Sequence, residues 1–152
     1  RQRRNLHFSE PVKVLISTPY LAGIEIEGAA EINIADTLKA DQFRLEIKGA
    51  AMADIVVDCR YLSAGISGAG EIRLRGRADK SEIEINGAGR LMAREHISAV
   101  QKVEVNGAGN AYVYATDTLE AIINGAGVIE YGGSPHLIPT IKGIGKIRAA
   151  SE

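Results

Sequence analysis

The chain has no tryptophan, one cysteine and only 5% aromatic residues in 152 positions. A lone Cys59 excludes an internal disulfide framework and any multi-cysteine metal site. Neither sign of charge dominates: the net charge is −1, so no broad footprint for nucleic acid or an anionic membrane is present. No apolar run reaches the ~20 residues of a membrane-spanning helix. Leucine is also scarce, 10 residues against 19 Ile and 9 Val. A helical bundle prefers leucine to β-branched residues, so a bundle is excluded too. What remains is an apolar fraction of 45% and a charged fraction of 24%, the balance of one ordinary globular domain. Alanine (21) and glycine (17) are abundant.

The glycines are periodic. A Gly-Ala-Gly-like tripeptide starts at Gly28, Gly49, Gly68, Gly87, Gly107, Gly125 and Gly143, at spacings of 21, 19, 19, 20, 18 and 18. Apolar residues alternate on both sides, as in Ile24 and Ile26 before the first copy and Ile32 and Ile34 after it. Period-two alternation reads as strand, bend, strand, with the glycines as structural corners. If parity survives the bend, both small residues of each tripeptide fall on the inward side. Some eight further residues return the chain, with one more inward anchor in most copies: Leu38, Leu62, Ile97, Leu119 and Leu137. One unit kept seven times is a solenoid, not a hairpin meander. The expected fold is all-β, a single-stranded right-handed parallel β-helix of about seven coils over residues 11–149. Residues 1–10 and 150–152 are expected as tails. Hexapeptide coils do not fit these spacings. Calcium rolls need Asp after the glycines, where this chain has Glu31, Met52, Glu71, Arg90, Asn110, Val128 and Lys146.

The repeated Gly-Ala-Gly after apolar-x-apolar-Asn resembles the bacterial "putative auto-transporter adhesin, head GIN domain" family. So do Pro11–Val14, Thr18–Leu21, the run Gly125–Pro135 and the closing Ile141–Ile147. The resemblance covers about residues 11–149. It implies a right-handed β-helix in an exported protein: periplasmic, anchored to the outer membrane as a lipoprotein, or at the surface of Bacteroidetes-like bacteria. It carries over no catalytic residues. Family members have further strands upstream, whereas this sequence starts in the basic run Arg1–Arg4, as a processed or trimmed form would. No signal peptide is read in it, so export rests on the resemblance alone.

Stacking the copies aligns outward positions into columns. One holds Glu25, Glu46, Gly65, Glu84, Glu104, Ile122 and Thr140, an acidic strip that reads as a weak cation or docking site, or as a solvated face neutralised by Lys and Arg. Two more columns put Asp54 beside Arg73, Glu71 beside Arg90, and Glu130 beside Arg148, as cross-coil ion pairs. Met92, Tyr112, Tyr114 and Val128 share outward parity as a candidate interaction patch, unless the chain's own loops cover it. Asn86, Asn106 and Asn124 precede glycines and are expected to stack as an amide ladder. Cys59 reads as a small buried filler. His7, His96 and His136 are too scattered for a metal site or a triad, and no cofactor is expected.

Three functions follow. The first is a non-catalytic binding or adhesion module at the cell envelope, with a protein, a glycan or another copy of itself as partner. The second is a self-assembling rod, whose C-terminal edge is blunted by Arg148, Ser151 and Glu152. The third, a polysaccharide-active enzyme, needs a groove built from long inserts, for which these spacings leave no room.

Overall fold

The computed structural model describes residues 20–151. The expected tail over 1–10, positions 11–19 of the expected solenoid, His7 and Glu152 lie outside the described residues. The described chain is all strand: β1 (Gly23–Gly28), β2 (Glu31–Gly49), β3 (Met52–Gly68), β4 (Glu71–Gly87), β5 (Arg90–Gly107), β6 (Asn110–Gly125), β7 (Val128–Gly132), β8 (His136–Gly143) and β9 (Lys146–Ala149). Each pairs in parallel with the next turn of the chain, in the order β1-β2-β3-β4-β5-β6-β7-β9, with β8 also on β6. This is a parallel β-solenoid of about seven turns. The return segments are part of the ladder: β2 runs for 19 residues.

Like residues stack on like. Ile26, Ile47, Ile66, Ile85, Val105, Ile123 and Ile141 form one column. Ile47, Ile85, Val105 and Ile123 are fully buried. Each such side chain contributes on the order of 1.5–3 kcal/mol. The β-branched excess thus becomes the axial spine of the rod.

The corner differs from a simple continuation of parity. In the second to sixth tripeptides only the third residue is buried: at Gly109 a Cβ would stand 2.6 Å from Ile85 Cγ2. The first glycine is exposed or half-buried and turns the chain. Gly107 has φ +122°, and a Cβ on it would meet the Gly87 carbonyl oxygen at 2.6 Å, one coil away. Its small size serves stacking along the rod, not packing inside it.

Unequal coil lengths are absorbed by bulges. Ala35 and Asp36 have no partner on β3, the register resuming at Thr37↔Val56. Arg94, Glu95 and His96 have none on β6, where pairing jumps from Ala93↔Val113 to Ile97↔Tyr114. That bulge reverses parity, so Ile97 is not the inward anchor expected of it and is 49% exposed. The main anchor column runs Phe43, Leu62, Ser81, Gln101, Leu119 and Leu137, while Leu38 packs against the core in a separate column beside Val57.

Candidate functional site

The β5 bulge builds the most distinctive outward face. Met92 pairs with Tyr112, and Ile97 with Tyr114, so the four form one continuous surface. Met92 is 39% exposed, while Tyr112, Tyr114 and Val128 are half-buried. Val128 pairs with Asn110, one outward step from Tyr112. The Tyr114 ring lies over Gly132, where a Cβ would meet its Cδ2 at 2.7 Å. Val100, 41% exposed, adds a further apolar residue on β5.

Arg94, freed from the ladder by the bulge, reaches back over this face. Its guanidinium stands 4.9 Å from the Tyr112 ring centroid and forms an ion pair with Glu130. Arg148 holds the other carboxylate oxygen at 2.9 Å. Glu130 is buried, so its two arginines meet it where solvent screens least. The apolar patch therefore has a cationic, hydrogen-bonded lid over Tyr112 and open ground at Met92 and Ile97. Sequence reasoning found Glu130–Arg148 by register but missed Arg94, because the bulge is invisible in a strict period of two.

The other expected pairs rearrange. Asp54 is held by Arg75 at 2.7 Å, not by Arg73, which turns to Glu71 on its own strand at 3.0 Å. Arg90 has no ion pair among the described residues. The acidic strip is in the expected register, Glu25↔Glu46 and Glu84↔Glu104. Its carboxylates have partners within the chain. Lys48 binds Glu25 and holds that carboxyl below its usual range by hydrogen bond and charge. Arg44 binds Glu46 at 2.7 Å. Gly65 leaves a notch of about 190 Å³ in the column, lined by both signs of charge, including Arg44, Glu84 and Lys102. Among the described residues no group of three or more His, Cys, Asp or Glu could hold a metal ion.

The asparagines form a one-way ladder. Asn124 Nδ2 donates to Asn106 Oδ1 at 2.7 Å, Asn106 to Asn86 at 2.9 Å, and Asn86 to Glu84 at 2.9 Å. Glu104 accepts from Asn124 at 3.3 Å. Amide dipoles aligned toward a carboxylate reinforce one another and spread the charge of two stacked glutamates.

Inside the rod lies a polar group that was not foreseen. Ser81, His96 and Ser98 are 0% exposed and Gln101 is 1% exposed. Ser81 Oγ lies 3.2 Å from His96 Nε2, a serine–histidine contact enclosed in the rod. Counting back by twos from Ile83 and Val103 points Ser81 and Gln101 inward, so part of this was legible. His96 owes its burial to the bulge.

Cys59 is buried, and desolvation, followed by the nearby Asp58 and Asp79 charges, pushes its thiol up to about 11. It should resist alkylation in the native rod. A thiol reagent at pH 8 should label it only as denaturant unfolds the chain, and rapid native labelling would contradict its placement.

A rod of stacked parallel coils, carrying its variety on outward columns, belongs to the class of repetitive β-solenoids that present a surface rather than a cleft. The sequence profile described as "Putative auto-transporter adhesin, head GIN domain" matches residues 1–135, and the chain belongs to that family. A crystal structure of a putative adhesin from Bacteroides fragilis is similar, with TM-score 0.83 and 29% identity, over 87% of this chain and 62% of that one. A putative lipid binding protein from Parabacteroides distasonis gives TM-score 0.76 and 26% identity, over 85% of this chain and 53% of that one. A putative adhesin from Parabacteroides merdae, at 22% identity and TM-score 0.79 over 85% and 57%, shares the fold. The chain thus spans less than two thirds of the length of these structures. No curated protein matches it.

Proposed function

We propose that this chain is a non-catalytic binding module of the adhesion type, working outside the cytoplasm at the cell envelope. It captures a protein or a glycan through the face formed by Met92, Tyr112, Tyr114 and Val128, extended by Ile97. The carrying observation is that face itself: exposed Met92 and Ile97 beside half-buried tyrosines, made rigid by the Arg94–Glu130–Arg148 bridge. Membership of an adhesin family supports a displayed surface. Against catalysis stands the enclosure of the candidate groups: Ser81, His96 and Cys59 are all buried.

Capture on glycan and protein arrays tests the face. Met92→Glu with Ile97→Glu should abolish capture and leave the melting curve within a few degrees, since neither residue holds the bridge. Met92→Glu with Tyr112→Glu should do the same at some cost in stability, because Tyr112 lies under Arg94. Unchanged capture by the first pair removes this reading.

The alternative, a self-assembling rod, has a structural argument on each side. Among the described residues β8 and β9 pair on one side only. Pro139 in β8 has no N–H to offer, and Lys142, Lys146 and Arg148 add like charges. Proline and lysine on an edge oppose strand addition. Sedimentation equilibrium over a hundredfold concentration range decides between them: open-ended growth favours the rod, a discrete species the module.

A further inference from the structure

We infer that the interior of the rod between β4 and β5 is a built hydration site, holding at least one enclosed water molecule on Gln101, His96 and Ser81. The inference is independent of the binding face. Gln101 Nε2, Gln101 Oε1 and His96 Nδ1 are buried and have no hydrogen-bond partner in the protein. Ser81 joins the two residues: its hydroxyl touches His96 Nε2, and its Cα is the register partner of Gln101. Adjacent coils lie ~4.8 Å apart, so the amide and the ring share one neighbourhood.

The anchor column carries a smaller side chain here than in a normal coil. The anchor column places Ser81 between Leu62 and Gln101, a hydroxymethyl group where the coil below has a leucine. Opposite His96 on β4 stands Gly76, at φ +107°, which sets no side chain against the ring, although the Val57 carbonyl one coil below fills the place a Cβ would take. On the other side the bulge leaves His96 without a partner on β6. Ser98 does not fill the need, since its hydroxyl donates to the Val100 carbonyl at 3.0 Å.

The chemistry of the donors selects the guest. The cluster holds no charged side chain, and burial holds the imidazole neutral, so an ion would be left without a counter-charge. Gln101 offers two N–H donors and one carbonyl acceptor. His96 Nδ1 needs a donor or an acceptor according to tautomer. Only a small neutral molecule that both donates and accepts meets all of these, and water is that molecule. Buried waters in proteins typically satisfy about three such groups.

A crystal structure of the protein at a resolution that places waters, with water-to-protein NOE spectroscopy, tests the site. The expected result is enclosed density within about 3 Å of the Gln101 amide and His96 Nδ1. Cross-peaks from the Gln101 side-chain N–H to long-lived water should accompany it, and the enclosed density should vanish in Gln101→Leu. The same variant should melt lower, because it strands the remaining partners. A dry interior, with Gln101 turned onto a protein group, would overturn the inference. So would a higher melting temperature for Gln101→Leu, which is what removal of an unsatisfied amide produces. Should that variant fail to fold, density and cross-peaks of the unaltered protein decide alone.

Discussion

Gly107→Ala should break the rod in the middle. At φ +122° an L side chain is strained, and its Cβ would press on the Gly87 carbonyl oxygen one coil below. Strain of this kind costs about 1–3 kcal/mol before any contact is counted. The contact adds to it, because the obstructing atom is backbone in a paired strand and cannot swing aside. A solenoid couples each coil only to its neighbours, so the damage also divides the cooperative unit. The expected result is a lower denaturation midpoint and a broadened or two-step transition. Ala108→Ser, at the exposed next residue, should melt like the unaltered protein. Equal midpoints for the two variants would show that the first glycine is not the stacking element described here.

The same corner shows how far the amino-acid pattern alone carries. Spacing of the tripeptides gave the coil, and register then followed, because identical side chains stack best on themselves. The columns through Glu25, Glu31 and Asn33 pair as the spacing implies. What was not legible is what depends on a bulge. Three residues at Arg94–His96 lose their partners on β6, and from there parity is inverted until Ala99 and Val100 restore it. Ile97 therefore faces out, His96 faces in, and Arg94 crosses a coil to Glu130. Nothing in the local apolar pattern marks this, since Ile97 fits an inward anchor by hydropathy. Salt partners were legible only in part: Glu130–Arg148 follows from register, while Asp54–Arg73 and Glu71–Arg90 do not form. Arg77 takes its register partner Asp58, but Arg75 reaches Asp54 and Arg73 turns to Glu71 on its own strand, so side-chain reach overrides register at two of the three.

The buried histidine makes stability depend on pH in a stated direction. Burial lowers the His96 pKa to about 4 from 6.5, with a smaller opposing effect from the Arg75 backbone. Above pH 6.5 the imidazole is neutral in both folded and unfolded chains, and it contributes no pH dependence. Below that, the unfolded chain binds a proton that the folded one refuses, so stability falls as the pH drops toward 4 and levels off beneath it. At 1.36 kcal/mol per unit, the loss over this window is about 3 kcal/mol. Glu25 and Glu82, whose pKa values are lowered by lysine partners and, for Glu82, also by the Tyr61 hydroxyl, lose stability at acid pH as well. Their share is common to any variant at position 96. The measurement is therefore a difference: unfolding free energy from pH 7.5 to 4 for the unaltered protein and for His96→Gln. The two curves should run parallel above pH 6.5 and converge or cross below it, as the unaltered protein loses up to one proton's worth of slope that Gln lacks. Curves parallel down to pH 4 would mean that the ring takes up its proton inside the folded rod, and that water reaches the bulge far more freely than its burial implies.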